Sequence, residues 1–196
     1  IAATPSSFQV LALGQDTPSE LFSPGPWLQI TPDNRVTVLL CKTEMGQGIH
    51  PAIPMIVADE LGADWDQVET EMAPVEAEFA DPVHHMHATF GSQSIRHLYL
   101  PLRKLGAAGR EILVEAAARK WNVPVSQCEA IQSQVHHQSS GRSFSYGELV
   151  EAAANLPVPE NPTLRPRSEH TLMGTPIARV DIPAKVQGEA KFGIDT

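Results

Sequence analysis

The chain has 196 residues, of which 42% are hydrophobic, and it carries a formal net charge of −9. This length suffices for one domain with a sizeable core, or for one domain and a tail. The negative charge argues against a nucleic acid or an anionic membrane as a partner, because both attract basic surfaces. Cys41 and Cys128 are too few to build an iron–sulfur cluster or a structural zinc site by themselves, and the sequence leaves open whether they pair.

Proline content and periodicity divide the chain into three parts. Residues 1–26 carry four prolines among small polar residues, a pattern typical of an extended arm packed on a neighbour. Residues 27–156 contain the segments with sustained apolar periodicity and predict the folded domain. Six of the 17 prolines then lie between Pro157 and Pro183, where no periodicity survives. We therefore expect residues 157–196 to be a linker that leads into a domain that is either absent or carried by a separate chain.

The central part predicts alternating strands and helices. Residues 35–43 are rich in β-branched and apolar side chains, as in a mostly buried strand. Apolar residues at spacings of three and four predict a helix from about 49 to 62 and a longer helix from about 94 to 120. The order predicts an α+β fold, in which helices pack on one face of a mixed sheet. The remaining predictions are strands at 27–30, 67–72, 128–132, 135–137 and 143–145, and a short helix at 146–156 that begins with a capping box.

A glycine-rich turn separates the strand at 35–43 from the helix that follows it. Gly46, Gln47 and Gly48 leave the first amide N–H groups of the helix without partners, at the positive end of its dipole. Glycine permits unusual φ angles and close approach of a ligand, while Gln47 offers an amide donor and acceptor to a polar ring edge. The spacing matches no Walker or dinucleotide fingerprint. Two interpretations therefore remain, a plain tight turn and a ligand cradle.

A second turn of the same kind precedes the long helix. It consists of Phe90, Gly91, Ser92, Gln93 and Ser94, and it places small residues, hydroxyls and free amides at a helix N-terminus.

Three stretches carry a family resemblance, at residues 44–50, 89–94 and 174–192. The first reads EMGQGIH, the second TFGSQS and the third GTPIARVDIPAKVQGEAKF. Together they resemble the large subunit of molybdenum hydroxylases, the family of xanthine oxidase and aldehyde oxidoreductase, and within it the isoquinoline 1-oxidoreductase beta-subunit type. The resemblance runs from Trp27 to the last residue and leaves the arm at 1–26 uncovered. It implies that the chain is part of the molybdenum-cofactor-binding domain of a longer large subunit, and that the third stretch, at 174–192, is the entry to a hammerhead-like domain.

The resemblance also implies a cofactor and its contacts. The cofactor is molybdopterin with molybdenum, in the cytosine dinucleotide form. Gln47 and its neighbouring backbone would contact the pyranopterin, and the second turn would hold a phosphate or line the molybdenum pocket. Phe90 stands where most relatives have a small residue, so it either narrows the approach of the substrate or simply packs. The implied cofactor-binding residues are Gly46, Gln47, Gly48, Phe90, Gly91, Ser92, Gln93 and Ser94.

The activity that the resemblance implies needs further polypeptides. An aldehyde or an N-heteroaromatic substrate would be oxidised with oxygen taken from water. The family's catalytic glutamate has its own motif late in the large subunit, and this sequence has no match to that motif. We therefore assign no catalytic residue to the chain. The implied partners are the rest of the large subunit or a second chain, a small subunit with [2Fe–2S] clusters, and a cytochrome c acceptor.

Several side chains allow a functional and a structural interpretation. His84, His85 and His87 suggest a metal site, but adjacent histidines on a loop chelate poorly, which favours solvated or hydrogen-bonded imidazoles. Glu44 is either a general base or a carboxylate that satisfies N–H groups at the helix start. Acidic side chains are either a solvated face or a dock for a basic cytochrome. These acidic residues are Glu69, Glu71, Glu76 and Glu78.

Two functions from different classes remain open at the level of the whole chain. One is the cofactor-binding portion of a molybdenum enzyme, and the other is a scaffold that retains the fold without binding cofactor. The chain begins with Ile1, so we expect it to be processed, trimmed or part of something longer. An export signal removed in that way would leave no trace, and the cellular compartment is therefore undecided.

Overall fold

The fold is described from a computed structural model of the chain, in which residues 21–179, 181–191 and 194 are described. Most of the expected arm at 1–26 therefore lies outside the described residues. The part that is described differs from the expectation, because Phe22–Gly25 forms a strand that pairs with the next one. The sheet thus begins before Trp27.

The described residues form seven strands and four α-helices. The predicted helix at 49–62 and the capping box of Ser145 and Glu148 are both confirmed. The strands are β1 Phe22–Gly25, β2 Leu28–Ile30, β3 Val36–Leu40, β4 Val68–Met72, β5 Cys128–Ile131, β6 Gln134–His137 and β7 Ser143–Ser145, and the helices are α1 Ile49–Leu61, α2 Gln93–Trp121, α3 Tyr146–Ala154 and α4 Ile182–Gln187.

The strands confirm an α+β fold but divide over two sheets, where the sequence predicted one. The first sheet has the order β1-β2-β3-β4, with β3 and β4 parallel and the other pairs antiparallel. The second sheet, β5-β6-β7, is antiparallel throughout. The division follows from α2, because 29 residues of helix span roughly 44 Å and carry the chain away from the first sheet.

The core lies between the first sheet and the two longer helices. Register pairs Leu28 with Val38 and Ile30 with Val36, so these fully buried side chains share one face of the sheet. Gly109 of α2 lies against the side chain of Leu28 and also against α1. Helices α1 and α2 therefore cover this face. None of the described helices combines the length and the apolar character that a membrane crossing requires.

The segment after α3 contacts α1 through a buried carboxylate. Asp59 Oδ1 accepts the N–H groups of Thr171 at 2.7 Å and Leu172 at 3.1 Å, and Oδ2 accepts that of Met173 at 2.7 Å. Three backbone donors on one carboxylate hold this segment in a single position. The part of the expected linker at 157–196 that the structure describes is thus attached to the domain, and its role as a linker stays a proposal.

The neighbouring carboxylate on α1 makes a second attachment. Glu60 is fully buried, with Arg103 Nε at 2.6 Å and Arg110 Nη1 at 3.5 Å. It also accepts the backbone N–H of Arg165 at 2.9 Å. A buried carboxylate needs such partners because desolvation of an unpaired charge costs several kcal/mol.

Candidate functional site

The first glycine turn has a backbone that only glycine adopts readily. The φ angles are +99° at Gly46 and +81° at Gly48, and Gly48 is the N-cap of α1. A Cβ atom at either position would have no neighbour within 4 Å among the described residues. The glycines therefore face open space, and a flat polar ligand can approach their backbone directly.

Glu44 occupies the backbone donors of this turn. Its Oε1 accepts the N–H groups of Gly46 at 2.8 Å and Gly48 at 2.9 Å, and its Oε2 accepts that of His50 at 3.1 Å. The expectation of free amides at the start of α1 is therefore wrong for these three groups. The interpretation of Glu44 as a helix-end carboxylate is confirmed, since its side chain satisfies local N–H groups.

The hydrogen bonds also change the acidity of Glu44. Burial alone would raise the pKa of the carboxyl group. The three N–H donors, together with the positive charge of Arg179, outweigh burial and hold the pKa below its ordinary value. Glu44 is thus an anion that belongs to the fold, and it already interacts with the positive end of the α1 dipole.

Gln47 is exposed, but its amide is engaged within the turn. Its Oε1 accepts the N–H of Met45, and its Nε2 donates to the carbonyl oxygen of Thr43 at 2.8 Å. An amide group has two donor hydrogens and two acceptor lone pairs, so one of each is left for a ligand. Gln47 shapes the turn and also presents polar atoms on its surface.

The second turn leaves its helix start open. Gly91 and Ser92 have φ angles of +61° and +54°, and Ser92 is the N-cap of α2 without a side-chain cap hydrogen bond. The first turn of α2 contains no acidic residue. Glu44 accepts N–H groups at the start of α1, whereas among the described residues no carboxylate accepts an N–H group at the start of α2. The Gln93 N–H bonds to the carbonyl oxygen of Phe90 at 3.3 Å, and the helix dipole and the next N–H groups are left for an external anion. The hydroxyl groups of Ser92, the N-cap, and Ser94, in the first turn, also lie at the start of α2.

The two turns are joined at the end of β3. Thr43 donates its backbone N–H to Thr89 Oγ1 at 2.9 Å. Lys42 donates to the carbonyl oxygen of Ala88 at 2.9 Å and forms an ion pair with Asp81 at 2.6 Å. The contacts bring residues about 46 positions apart into one site, as the expected cradle requires.

Asp81 connects three elements behind the turns. Its side chain is 1% exposed and that of Lys42 3%. Its Oδ1 accepts the backbone N–H groups of Val83 and His84, and His97 of α2 places Nδ1 at 3.1 Å from Oδ2. Burial would raise the pKa of Asp81, but the bonds from Lys42, the backbone and His97 hold it well below its usual range. Sequence analysis missed this cluster, because Lys42, Asp81 and His97 share no local motif.

In the histidine loop, His84 packs on aromatic rings and His87 meets a backbone carbonyl. The ring of His84 stacks on that of Phe90 at 5.9 Å and meets that of His97 edge-on at 5.0 Å. His87 Nε2 lies 2.8 Å from the carbonyl oxygen of Glu76. Within the described part of the chain, no group of three His, Cys, Asp or Glu side chains is arranged to hold a metal ion. Phe90 remains 52% exposed beside the second turn.

Comparison with known proteins gives the ligand that this family binds. The model of the molybdopterin cofactor-binding domain matches residues 2–187. The chain belongs to the molybdopterin cofactor-binding domain family. The match begins before Trp27, so the expectation that the arm lies outside the family resemblance is wrong.

Two curated relatives resemble most of this molybdopterin-binding chain. Isoquinoline 1-oxidoreductase subunit beta of Brevundimonas diminuta is 33% identical, over 92% of this chain and 28% of the relative. The membrane-bound aldehyde dehydrogenase [pyrroloquinoline-quinone] of Gluconacetobacter polyoxogenes is 34% identical, over 98% of this chain and 25% of the relative. The chain thus spans about a quarter of the length of these relatives. A Cu,Mo-CO dehydrogenase structure aligns with a TM-score of 0.48 and 22% identity, over 74% of this chain and 20% of that one.

The residues present fit a molybdopterin. The first glycine turn is open at Gly46 and Gly48, and the second has the side chain of Gln93 over Gly91. Helix α2 offers an anion-binding N-terminus. Two buried polar atoms in the first turns of the two helices have no partner among the described residues, His50 Nε2 and Gln93 Oε1. Buried polar atoms normally have hydrogen-bond partners, so an unpaired atom at each helix start is consistent with a polar ligand at this place.

A separate groove lies elsewhere on the molybdopterin-binding domain. It has a volume of about 730 Å³ and runs between α2, β5 and the segment at 156–169. It shares no residue with the two glycine turns. Cys128 lines it, and burial raises the pKa of the thiol. Cys41 and Cys128 are both free thiols, so they do not form a disulfide in this structure.

Proposed function

We propose that this chain is the cofactor-binding portion of a molybdenum-dependent hydroxylase or dehydrogenase. The substrate is an aldehyde or an N-heteroaromatic compound, and water supplies the oxygen. The names of the two relatives, an isoquinoline oxidoreductase and an aldehyde dehydrogenase, support these substrate classes. The observation that carries the proposal is the pair of joined glycine turns, one with a self-capped helix and one with an open helix start.

The two turns take different parts of the cofactor. The open N-terminus of α2, with the hydroxyls of Ser92 and Ser94, holds the phosphate, because its dipole and N–H groups are not neutralised by a carboxylate. Gly46 and Gly48 let the pterin ring approach the backbone, and Gln47 presents a donor and an acceptor to the ring edge. When bound, the cofactor supplies a metal centre that takes two electrons from the substrate.

Phe90 and Gln93 shape the proposed site, and neither takes part in a chemical step. Phe90, stacked on His84 and half exposed, forms a rim on the substrate side of the second turn. Gln93 turns its side chain back over Gly91, which leaves its buried Oε1 for a ligand donor. We assign no catalytic residue to this chain, because the carboxylate of Glu44 is engaged by three backbone N–H groups.

The proposed enzyme contains more protein than this chain. We propose that the rest of the large subunit, or a second chain, closes the cofactor site, and that residues 157–196 lead towards it. Electrons leave through a partner subunit with [2Fe–2S] clusters, and the cofactor is the cytosine dinucleotide form. A basic cytochrome c is a candidate acceptor, since the acidic side chains are exposed near β4. These side chains are Glu69, Glu71, Glu76 and Glu78.

A charge placed at the open helix start tests the proposal. Ser94→Asp puts a carboxylate into the first turn of α2, where it should stabilise the helix but repel a phosphate. We expect the melting temperature to hold or rise, and the molybdenum content of the purified native assembly to fall about tenfold. Elemental analysis measures the metal, and mass spectrometry of the denatured extract identifies a released cytosine nucleotide.

The molybdenum content of a control variant and of the wild-type assembly separates the proposal from its alternatives. Ser168→Asp makes the same change on an exposed turn distant in sequence, and should leave the molybdenum content unchanged. A wild-type assembly without molybdenum, or a Ser94→Asp assembly that retains it, would favour the non-catalytic scaffold. The name of one relative includes pyrroloquinoline quinone. Detection of that quinone in the extract, without molybdenum, would replace the proposed cofactor.

A further inference from the structure

Arg179 connects the far end of the described chain to the first glycine turn. Its Nη1 donates to the carbonyl oxygen of Gly46 at 2.8 Å, across 133 positions of sequence. Its Nη2 also lies 3.5 Å from Glu44 Oε1, the same carboxylate oxygen that accepts the N–H groups of Gly46 and Gly48. One guanidinium group therefore contacts both the carbonyl side of the turn and the carboxylate that holds its amide side.

Asp181 fixes the orientation of this guanidinium group. Arg179 Nε donates to Asp181 Oδ1 at 2.9 Å, and Nη2 donates to Oδ2 at 2.6 Å, which is a bidentate pair. Lys185, one turn into α4, pairs with the same carboxylate. A bidentate pair fixes the plane of the guanidinium, so the remaining Nη1 points in a defined direction. Lysine cannot reproduce this geometry, because its ammonium group is a point charge on a flexible stem.

The turn needs an external hold because its own residues provide little packing. Gly46 and Gly48 have no side chains, and a Cβ atom at either would touch nothing among the described residues. Met45 and Gln47 are exposed. Glycine has the largest conformational freedom of any residue, so hydrogen bonds rather than packing must select the conformation of this turn.

We propose that Arg179 is a positioning residue for the cofactor turn. This role rests on the proposed function and deepens it. By holding the Gly46 carbonyl, Arg179 keeps the open side of the turn in the orientation that binds the pterin. The segment at 171–181 then has a second role besides connecting domains. Its attachment to α1 through Asp59 brings Arg179 to the turn, and a displaced segment releases the turn.

Hydrogen exchange of the turn amides tests the contact directly. The native assembly is purified with Arg179→Ala, Arg179→Lys, Asp181→Asn or Arg167→Ala, and exchange is followed by mass spectrometry. We expect the peptide covering Gly46 to His50 to exchange about tenfold faster in Arg179→Ala, with a smaller increase in the lysine and asparagine variants. Arg167→Ala, four residues before that segment, should match wild type, because none of the side-chain contacts of the described residues uses its guanidinium.

The outcomes separate this inference from the proposed function. Unchanged exchange at residues 46–50, or faster exchange throughout α1 and α2, would overturn the positioning role. Molybdenum content should fall in Arg179→Ala and be partly retained in Arg179→Lys. A loosened turn that keeps its full molybdenum content would show that Arg179 does not matter for the cofactor. A wild-type assembly without molybdenum would refute the proposed function and leave the exchange result standing.

Discussion

Single residues decide that the two helix starts differ. At α1 the carboxylate of Glu44 binds the N–H groups of Gly46, Gly48 and His50, so the protein supplies its own anion. At α2 the cap is Ser92, and no carboxylate of the described residues accepts an N–H group there. The dipoles of both helices are alike, and the difference in available charge therefore comes from one side chain.

Glu44 should make stability depend on pH in a defined direction. Its folded pKa lies below the ordinary value of 4.5, so its stabilisation is complete above that pH and is lost as the pH falls through the folded pKa. We expect Glu44→Gln to lower the free energy of unfolding by about 1 kcal/mol near neutral pH, with the difference shrinking in acid. Urea titrations at several pH values measure it. Glu78→Gln, at an exposed position, is the control, and a difference independent of pH would contradict the assignment.

At the scale of elements, the close packing of α1 and α2 positions both turns. Gly106 of α2 lies so near α1 that an added Cβ would come within 2.5 Å of the carbonyl oxygen of Val57 and 2.9 Å of Glu60 Cβ. Gly109 is one turn further along, and its nearest neighbour is the flexible end of Leu61 at 3.1 Å. The backbone contact at Gly106 therefore sets the distance between the helices, and the contact at Gly109 can adapt.

Alanine substitutions should separate these two glycines. Alanine improves helix propensity by about 1 kcal/mol at either position, so a loss of stability must come from packing. We expect Gly106→Ala to lower the free energy of unfolding by about 2–3 kcal/mol, because backbone cannot yield as a side chain can. Gly109→Ala should change it by less than about 1 kcal/mol, and the exposed Lys104→Ala by less than about 0.5 kcal/mol. Equal effects at both glycines, measured by urea unfolding, would contradict this reasoning.

At the scale of the whole molecule, the C-terminal segment is attached to the domain by buried carboxylates. Asp59 binds three successive backbone N–H groups from Thr171 to Met173, and Glu60 binds that of Arg165. Both carboxylates belong to α1, the helix that begins at the first glycine turn. The position of the segment is therefore coupled to the helix that begins at the first glycine turn.

Asp59→Asn should detach this segment while leaving the core intact. If the NH₂ group of the new amide takes the place of Oδ2, it faces the Met173 N–H, and in the other orientation it faces the N–H groups that Oδ1 now accepts. In either orientation at least one hydrogen bond is replaced by a repulsive contact. We expect trypsin to cleave after Arg167 about tenfold faster, with little change in melting temperature. Mass spectrometry of timed digests measures the cleavage. Asp66→Asn, which removes an exposed charge, should leave the cleavage rate unchanged. An unchanged cleavage rate in Asp59→Asn as well would contradict the attachment.

Local patterns in the sequence account for the elements and for the places where they begin. The periodicity of Ile49 to Leu61, the capping box of Ser145 and both glycine turns depend on residues a few positions apart, and the structure has them where they were expected. The strand at 35–43 is shorter than expected and β1 was not expected. Strand ends are set by pairing partners, which a single segment does not reveal.

The sequence alone determined that this protein has two glycine-rich helix starts of a kind suited to a polar, anionic ligand. The sequence also offered Glu44 as a carboxylate that satisfies N–H groups at the start of α1, and the structure has it there. Only the tertiary structure decided that the two starts adjoin through Thr43 and Thr89. It also decided that Asp81 joins Lys42 to His97, and that Arg179 holds Gly46. The reason is physical: caps and periodicity act within one or two turns of chain. The ion pair between Lys42 and Asp81 spans 39 positions and the hydrogen bond from Arg179 to Gly46 spans 133, so each exists only once the topology brings its partners together.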